Sequence, residues 1–268
     1  MTCFVEKTFF SLAFLFLIFS HVFCCAQETT IRVMSFNIRH AEGMDGQVNL
    51  PKIAALIQEG NPDLVALQGV DRGTKRTKNA DQARFLAAQL KMNYVFVKTQ
   101  NEDGGETGNA ILSRFPIGPH KVLQLPKTSD NERAILVALI KIGKGKKGKE
   151  IRFASTALGG GNSGQIRQLE KLNGYFFIEG EETPVIIGTH LYMTRENKSV
   201  VEMRKQWMDS FDVVPKESTG EAEKDEGPVD KRINYIFFRT KDPIKVTERR
   251  IWADPLLPYP PVLSVLVL

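Results

Sequence analysis

The feature that most constrains the fold is a short apolar stretch at residues 64–68, which reads Leu-Val-Ala-Leu-Gln. Pro62 and Asp63 precede it, and Gly69 follows its polar end. A run this short and apolar between turn-forming residues predicts a β-strand that is covered on both faces. Open α/β sheets bind their ligands at the carboxyl ends of the strands. The stretch therefore predicts one wall of a functional site, with Gly69 at its border.

The segments before this stretch complete a strand-helix-strand unit. Residues 30–38 alternate and are rich in β-forming residues, which predicts a first strand that ends at Asn37. Residues 50–60 carry apolar side chains at helical spacing and stop at Gly60-Asn61-Pro62, which predicts an amphipathic helix.

The rest of the chain mixes further strand and helix patterns. Strands are predicted at residues 94–98, 108–113, 121–125, 134–142, 150–156, 184–188, 232–239, 245–251 and 262–268. Helices are predicted at residues 81–90, 165–177 and 198–211, and surface loops at residues 144–149 and 217–230. The last helix carries Met203, Trp207 and Met208, which we expect to pack on the core. About ten strands and four helices predict an α/β fold of two packed mixed sheets flanked by helices.

The first 26 residues have the pattern of a signal peptide. Lys7 precedes an apolar run at residues 9–19, which is too short to span a bilayer as a helix. Cys24-Cys25-Ala26 then offers small residues at the positions that a signal peptidase reads.

We therefore expect cleavage after residue 26, a single domain at residues 27–268, and export to the periplasm or the extracellular space. A lipid anchor on Cys24 or Cys25 is the less favoured alternative, because bulky Phe23 lies just before the pair. We expect no transmembrane span in the mature chain, and a monomer.

Composition excludes several kinds of chemistry. All 3 cysteines (Cys3, Cys24 and Cys25) lie in the predicted leader, so the mature chain has no disulfide, thiol nucleophile or cysteine zinc site. The net charge of +5 is compatible with a phosphorylated or nucleic-acid partner but is weak support for one.

Several stretches in order resemble the endonuclease/exonuclease/phosphatase superfamily, which includes deoxyribonuclease I, apurinic endonucleases, sphingomyelinases and inositol-polyphosphate phosphatases. They are residues 33–40 (VMSFNIRH), 62–72 (PDLVALQGVDR), 108–117 (GNAILSRFPI), 152–158, 185–188, 232–236 and the C-terminal strand. The resemblance implies a four-layer α/β/β/α sandwich. It also implies an ancestral hydrolysis of a phosphoester with Mg²⁺ or Mn²⁺.

Four residues match positions that line the site in this family. Asn37 matches the asparagine of the first strand, a neighbour of the metal site and the phosphate. Asn109 matches a site-lining asparagine, and Asp71 and Arg72 match the residues just after the metal-binding glutamate.

Eight positions depart from the residues that the resemblance implies. Two of them replace metal ligands: Gly69 stands in place of a Glu, and Pro258 stands in place of an Asp. Two replace catalytic residues: His190 stands in place of an Asp, and Tyr259 stands in place of a His. At the other four positions, Thr107 replaces a site Tyr, Ala157 replaces a His, Tyr192 replaces an Asn and Asn234 replaces an Asp. Hard divalent cations require oxygen ligands, mostly carboxylates. Tyrosine, with a pKa of about 10, is a poor general base at neutral pH. We therefore expect no bound metal and no catalytic activity.

Two alternatives remain open. One is a binding module whose basic cleft holds a phosphate, a nucleic acid or a lipid headgroup; its residues would be Asn37, Asn109, Arg72, Lys75, Arg76 and Lys78. The other is a rearranged metal-dependent phosphodiester hydrolase that uses His190 with Asp71, Asp254 or Asp209. The substrate or ligand cannot be read from these residues.

Overall fold

The computed structural model describes residues 28–128, 132–143, 148–180, 182–213, 232–252 and 254–268. The helices are α1 (Leu50–Gly60), α2 (Gln82–Leu90), α3 (Gly161–Ile178) and α4 (Lys198–Met203). The strands are β1 (Thr30–Asn37), β2 (Leu64–Arg72), β3 (Asn93–Glu102), β4 (Gly105–Ser113), β5 (Ile117–Gln124), β6 (Ala134–Ile142), β7 (Lys149–Ala157), β8 (Val185–His190), β9 (Met208–Asp209), β10 (Asn234–Arg239), β11 (Lys245–Ile251) and β12 (Val262–Val267).

These strands form two mixed sheets of six. The first sheet has the order β11-β12-β1-β2-β4-β3, and the second has the order β5-β6-β7-β8-β10-β9. Each sheet contains one parallel pair, β1 with β2 and β7 with β8. Their neighbours pair antiparallel. The predicted fold of two mixed sheets is confirmed.

Three apolar layers hold the sheets and helices together. Alternate side chains of β2 divide between two of them, because successive residues of a strand face opposite ways. Leu64 and Ala66 pack between the sheets, whereas Val65 and Leu67 pack beneath α1 and α2. A third layer joins the second sheet to α3 and α4. The arrangement is a four-layer α/β/β/α sandwich, as the resemblance implies.

Residues at its two ends determine where helix α1 begins and ends. The side chain of Asn49 caps its first turn by accepting a hydrogen bond from the Lys52 backbone nitrogen at 3.0 Å. Asn61 ends it in the left-handed conformation. Ile53 and Ile57 face the first sheet and are buried. The predicted helix at residues 50–60 is confirmed.

The predicted helix at residues 198–211 is wrong in its second half. Helix α4 ends at Met203, and the chain then turns into the short strand β9, which pairs with β10. Asp209 on β9 is buried against the guanidinium of Arg232, an ion pair that an uninterrupted helix would not place there. Trp207 packs on Phe176 at a centroid distance of 5.4 Å.

Of the three residues expected in the core, Met203 and Trp207 are buried, but Met208 is 42% exposed. Strand β2 also continues past its predicted end, and residues 93–102 form a longer strand than predicted. The predicted leader, most of the predicted basic loop and the predicted loop at 217–230 lie outside the described residues. Among the helices that the structure describes, none has the length and apolar character needed to cross a membrane.

Candidate functional site

The functional candidates meet where the two parallel strand pairs end. Asn37 is the last residue of β1, and it pairs in register with Gln68 of β2. In the second sheet, Ala157 at the end of β7 pairs with His190 at the end of β8, and His190 pairs with Asn234 at the start of β10. One end of the sandwich therefore gathers the residues that the resemblance selects.

Buried hydrogen bonds hold the two sheets together just below this end. The amide nitrogen of Gln68 donates to the Ser155 hydroxyl oxygen at 3.2 Å and to the Gly188 carbonyl oxygen at 3.3 Å. The Ser155 hydroxyl in turn donates to the Leu67 carbonyl oxygen at 2.8 Å. Gly188 permits this approach, because a Cβ there would lie only 2.3 Å from the Cβ of Ala66.

Gly69 occupies an irregularity of β2. The pairing of β2 with β4 shifts register between Leu67 and Val70, and Gly69 has φ +62°. A Cβ on Gly69 would lie 2.7 Å from Oδ1 of Asn37, which already accepts a hydrogen bond from the Arg39 backbone nitrogen at 3.0 Å. Both the backbone conformation and the close contact favour glycine here. After the shift, Val70 faces α2 rather than the second sheet.

His190 is enclosed by polar and aromatic neighbours. Its Nδ1 lies 2.8 Å from Oδ1 of Asn234, and the amide nitrogen of Asn234 donates to the Pro260 carbonyl oxygen at 2.7 Å. Asn234 therefore acts as the acceptor towards His190, which assigns the proton of the neutral imidazole to Nδ1. The His190 ring lies 4.0 Å from the ring of Tyr192 and 4.6 Å from that of Tyr259.

Burial controls the charge of this cluster. Removal from water is the main cause that lowers the pKa of His190 to about 3, and the charge of Arg133 contributes to the same shift. The hydrogen bond with Asn234 acts in the opposite direction but is smaller than the effect of burial. His190 is therefore neutral at pH 7, and its Nε2 is buried with no hydrogen-bond partner among the described residues. Burial also raises the pKa of Tyr259, so its phenol keeps its proton at neutral pH.

Asp71 and Arg72 lie near this end, but other side chains engage their charges. The buried carboxylate of Asp71 accepts from Nε and Nη2 of Arg76 at 2.7 and 2.9 Å, and from the Thr74 hydroxyl at 2.7 Å. Burial alone would raise the pKa of Asp71, but these hydrogen bonds outweigh it and hold the pKa below its ordinary value. Arg72 is exposed and pairs with Glu106.

A polar cavity of about 240 Å³ opens beside Gly69. Thr107 and Asn109 line it, and so do Arg133 and Tyr192. The remaining lining residues are Arg76, Thr99, Gln100, Glu102, Gly108 and Glu132. Pro258 instead lines a separate space of about 60 Å³ together with Asn37. Sequence reasoning missed Arg133, whose signal was a single basic residue directly before a predicted strand.

The donor atoms at this end do not fit Mg²⁺ or Mn²⁺. Within the described ranges, no group of three or more His, Cys, Asp or Glu residues is placed to hold a metal ion. Gly69 has no side-chain donor, and the amide oxygens of Asn37 and Asn234 already accept hydrogen bonds. Mg²⁺ binds mainly through charged oxygen ligands, and none of these residues supplies one.

The carboxylates of a rearranged site are also engaged elsewhere. Asp209 pairs with Arg232, and Asp254 lies 2.8 Å from Nζ of Lys52. The hydrogen bond from Lys52 lowers the pKa of Asp254 against a small effect of burial. Neither acid joins His190 in a cluster of potential ligands among the described residues.

Fold and sequence together define a class of protein. Two packed six-stranded mixed sheets between helices form the sandwich, and the polar end of its parallel strands forms the candidate site. A sequence profile described as the Endonuclease/Exonuclease/phosphatase family matches residues 34–188, more than half of the chain. The chain belongs to the endonuclease/exonuclease/phosphatase family.

Solved structures share this fold at low sequence identity. An endonuclease/exonuclease/phosphatase from Beutenbergia cavernae is 22% identical, with a TM-score of 0.70 over 89% of this chain and 72% of that one. The mannosyl-6-phosphatase Bt3783 of Bacteroides thetaiotaomicron is 19% identical, with a TM-score of 0.65 over 89% of this chain and 100% of that one. The catalytic domain of human Nocturnin with bound sulfate is 17% identical, with a TM-score of 0.63 over 90% of this chain and 97% of that one. A search of curated protein sequences finds no match to the chain.

Proposed function

We propose that this protein is an exported member of the endonuclease/exonuclease/phosphatase family that does not hydrolyse phosphoesters. The observation that carries the proposal is the irregularity of β2 at Gly69, which stands beside Asn37 and brings no carboxylate. The family resemblance requires a metal-binding glutamate at this position. Without it, the site lacks the charged ligand that β2 would contribute to a divalent cation.

The cluster around His190 supports the same proposal through its protonation. A general base contributes typically ~100- to 10,000-fold when its pKa lies near the working pH. His190 has a pKa of about 3, so it is a weak base, and among the described residues it is oriented by the amide oxygen of Asn234 rather than by a carboxylate. Tyr259 has a raised pKa and stays protonated at neutral pH.

The test is a hydrolysis assay on the purified mature chain. Bis(p-nitrophenyl) phosphate, p-nitrophenyl phosphate and plasmid DNA are incubated with Mg²⁺ or Mn²⁺, and each product is compared with a blank that lacks protein. We expect no turnover above the blank. A His190→Ala variant, purified in the same way, is the control for a contaminating enzyme. Metal-dependent turnover that elutes with the protein and falls in that variant would overturn the proposal.

Export is tested separately from the chemistry. The full-length gene is expressed in a bacterial host, and the N-terminus of the exported protein is sequenced. We expect it to begin at Gln27, which follows the predicted cleavage site. Recovery only as a lipid-linked membrane form that Cys24→Ser and Cys25→Ser together release would favour the anchored alternative.

A binding module for a phosphate-bearing ligand is the second candidate. The polar cavity beside Gly69 supports it, because two arginines and several neutral donors line this cavity. Human Nocturnin has been solved with a bound sulfate anion, and another structural relative is a mannosyl-6-phosphatase. Binding of such a ligand that weakens as salt rises would support this candidate, and the absence of binding at low salt would contradict it.

A rearranged hydrolase that uses His190 has the least support. Its imidazole is buried, and no described carboxylate joins it in a potential metal site. Zn²⁺ or Mn²⁺ bound beside His190 in a crystal, located by anomalous scattering, would favour this reading over the other two.

A further inference from the structure

We propose that Arg133 anchors the anionic group of a small phosphorylated molecule in the cavity beside Gly69, with no metal ion taking part. This assignment rests on the binding function proposed above and adds to it the anchoring residue and the ligand class.

Arg133 is held at the cavity by its position and by its packing. It lies directly before β6, and its carbonyl oxygen accepts a hydrogen bond from the Leu125 backbone nitrogen at 2.9 Å. Its guanidinium carbon lies 5.7 Å from the ring centroid of Tyr192. The group also lies close to Gly159, where an added Cβ would be 3.1 Å from Nη2 and 3.3 Å from Nε of Arg133. The guanidinium thus lies close to both the ring of Tyr192 and the backbone of Gly159.

Arg133 differs from the other arginine of the cavity in having no acidic partner among the residues that the structure describes. Its guanidinium makes no hydrogen bond or ion pair within the described part of the chain, and its Nε is buried without an acceptor. Arg76, in contrast, donates to Asp71 and also to Glu102, at 3.2 Å. The terminal nitrogens of the guanidinium are not buried, so they are the donors that an anion in the cavity would meet.

The two glutamates that line the cavity do not neutralise Arg133. Glu102 pairs with Arg76, and Glu132 is exposed and lies 3.7 Å from Nζ of Lys127. The field of Arg133 also reaches the interior, since it is one of the causes that lower the pKa of His190. Neither glutamate of the cavity wall therefore compensates the charge of Arg133 in the described part of the chain.

Size and lining restrict the ligand to a small polar molecule. The cavity of about 240 Å³ falls below the ~300 Å³ at which pockets for drug-sized ligands begin. Its neutral lining groups include the side chains of Thr99 and Gln100. Guanidinium binds tetrahedral oxyanions through two parallel N–H donors. A phosphate monoester on a sugar-sized body fits these conditions better than a nucleic acid does.

The test is isothermal titration calorimetry of the mature chain in low salt with excess EDTA. The probes are inorganic phosphate and mannose 6-phosphate, with mannose as the neutral control. We expect both phosphates to bind in EDTA, mannose not to bind, and Arg133→Gln to weaken binding at least about 10-fold. Arg133→Lys keeps the charge and the aliphatic stem but loses the paired donors, so we expect a smaller loss.

The matched control is Arg84→Gln, which removes an exposed arginine of α2 that does not line the cavity. It should leave binding unchanged. Full binding by both Arg133 variants would overturn the assignment while leaving a binding function in place. No binding by the unaltered chain would overturn both the inference and the binding candidate on which it rests. Binding only when Mg²⁺ replaces EDTA would overturn the metal-free assignment. If Arg133→Gln does not fold, Arg133→Lys alone is the test: weaker phosphate binding supports the assignment, and unchanged phosphate binding overturns it.

Discussion

Substitution of Gly69 by alanine tests the local geometry on which the proposed loss of activity depends. Gly69 has φ +62°, and its added Cβ would lie 2.7 Å from Oδ1 of Asn37. The left-handed conformation costs roughly 1–2 kcal/mol for a residue with a Cβ. Displacing the Asn37 side chain also breaks its hydrogen bond from the Arg39 backbone nitrogen, which is worth about 0.5–1.5 kcal/mol. We expect Gly69→Ala to lower the free energy of unfolding by about 2–3 kcal/mol.

The structure offers a matched control for this measurement. Gly73 has φ +72°, but no atom lies within 4 Å of the position of its added Cβ. Gly73→Ala should therefore show only the conformational cost, about 1–2 kcal/mol. Urea unfolding of both variants, followed by circular dichroism, gives the two values. Their difference, about 1 kcal/mol, measures the contact with Asn37.

A double-mutant cycle identifies the source of that difference. In an Asn37→Ala background the close oxygen is gone, so Gly69→Ala should cost about as much as Gly73→Ala. The reasoning would be refuted if Gly69→Ala proved no more destabilising than Gly73→Ala in the unaltered background. It would also be refuted if the excess persisted unchanged after Asn37→Ala.

Two further predictions concern buried charge. His190 has a folded-state pKa of about 3, below the value of about 6.5 in an unfolded chain, so only the unfolded chain binds this proton at pH 5. The loss of stability from pH 7 to pH 5 should therefore be smaller in His190→Gln by about 2 kcal/mol, whereas exposed His120→Gln should keep the full loss. Arg76→Ala leaves the buried Asp71 carboxylate without its ion-pair partner and should lower the free energy of unfolding by about 3 kcal/mol. This value lies near the lower end of the range for breaking a buried ion pair, because the Arg76 side chain is 32% exposed. Arg72→Ala, which breaks an exposed pair, should cost less than about 1 kcal/mol in the same urea titration.

Local patterns were enough to predict most of the fold. The apolar run at 64–68 and the stop at Gly60-Asn61-Pro62 depend on neighbours within a few residues, and both agree with β2 and α1. The family resemblance, which rests on the order of the motifs, then implied the four layers.

The missed features depend on contacts between distant parts of the chain. The end of α4 and the strand β9 depend on Asp209 meeting Arg232. The irregularity at Gly69 is a register shift against β4, a strand distant in sequence, and the run was predicted to end at Gln68. Arg133 escaped notice because the proposal for it rests on its having no ion-pair partner among the described residues, which the sequence does not show. The roles proposed for the individual site residues remain predictions.

The contacts around His190 also predict that no single substitution restores hydrolysis. His190→Asp would bury a carboxylate opposite the amide oxygen of Asn234 and beside two aromatic rings, none of which donates a hydrogen bond as now placed. The set that the family resemblance implies for restoration is Gly69→Glu, Ala157→His, His190→Asp, Tyr192→Asn, Asn234→Asp, Pro258→Asp and Tyr259→His. We expect Mg²⁺-dependent hydrolysis of bis(p-nitrophenyl) phosphate from this set, and none from the same set without Gly69→Glu. Turnover by His190→Asp alone would show that the neighbouring positions do not limit the chemistry.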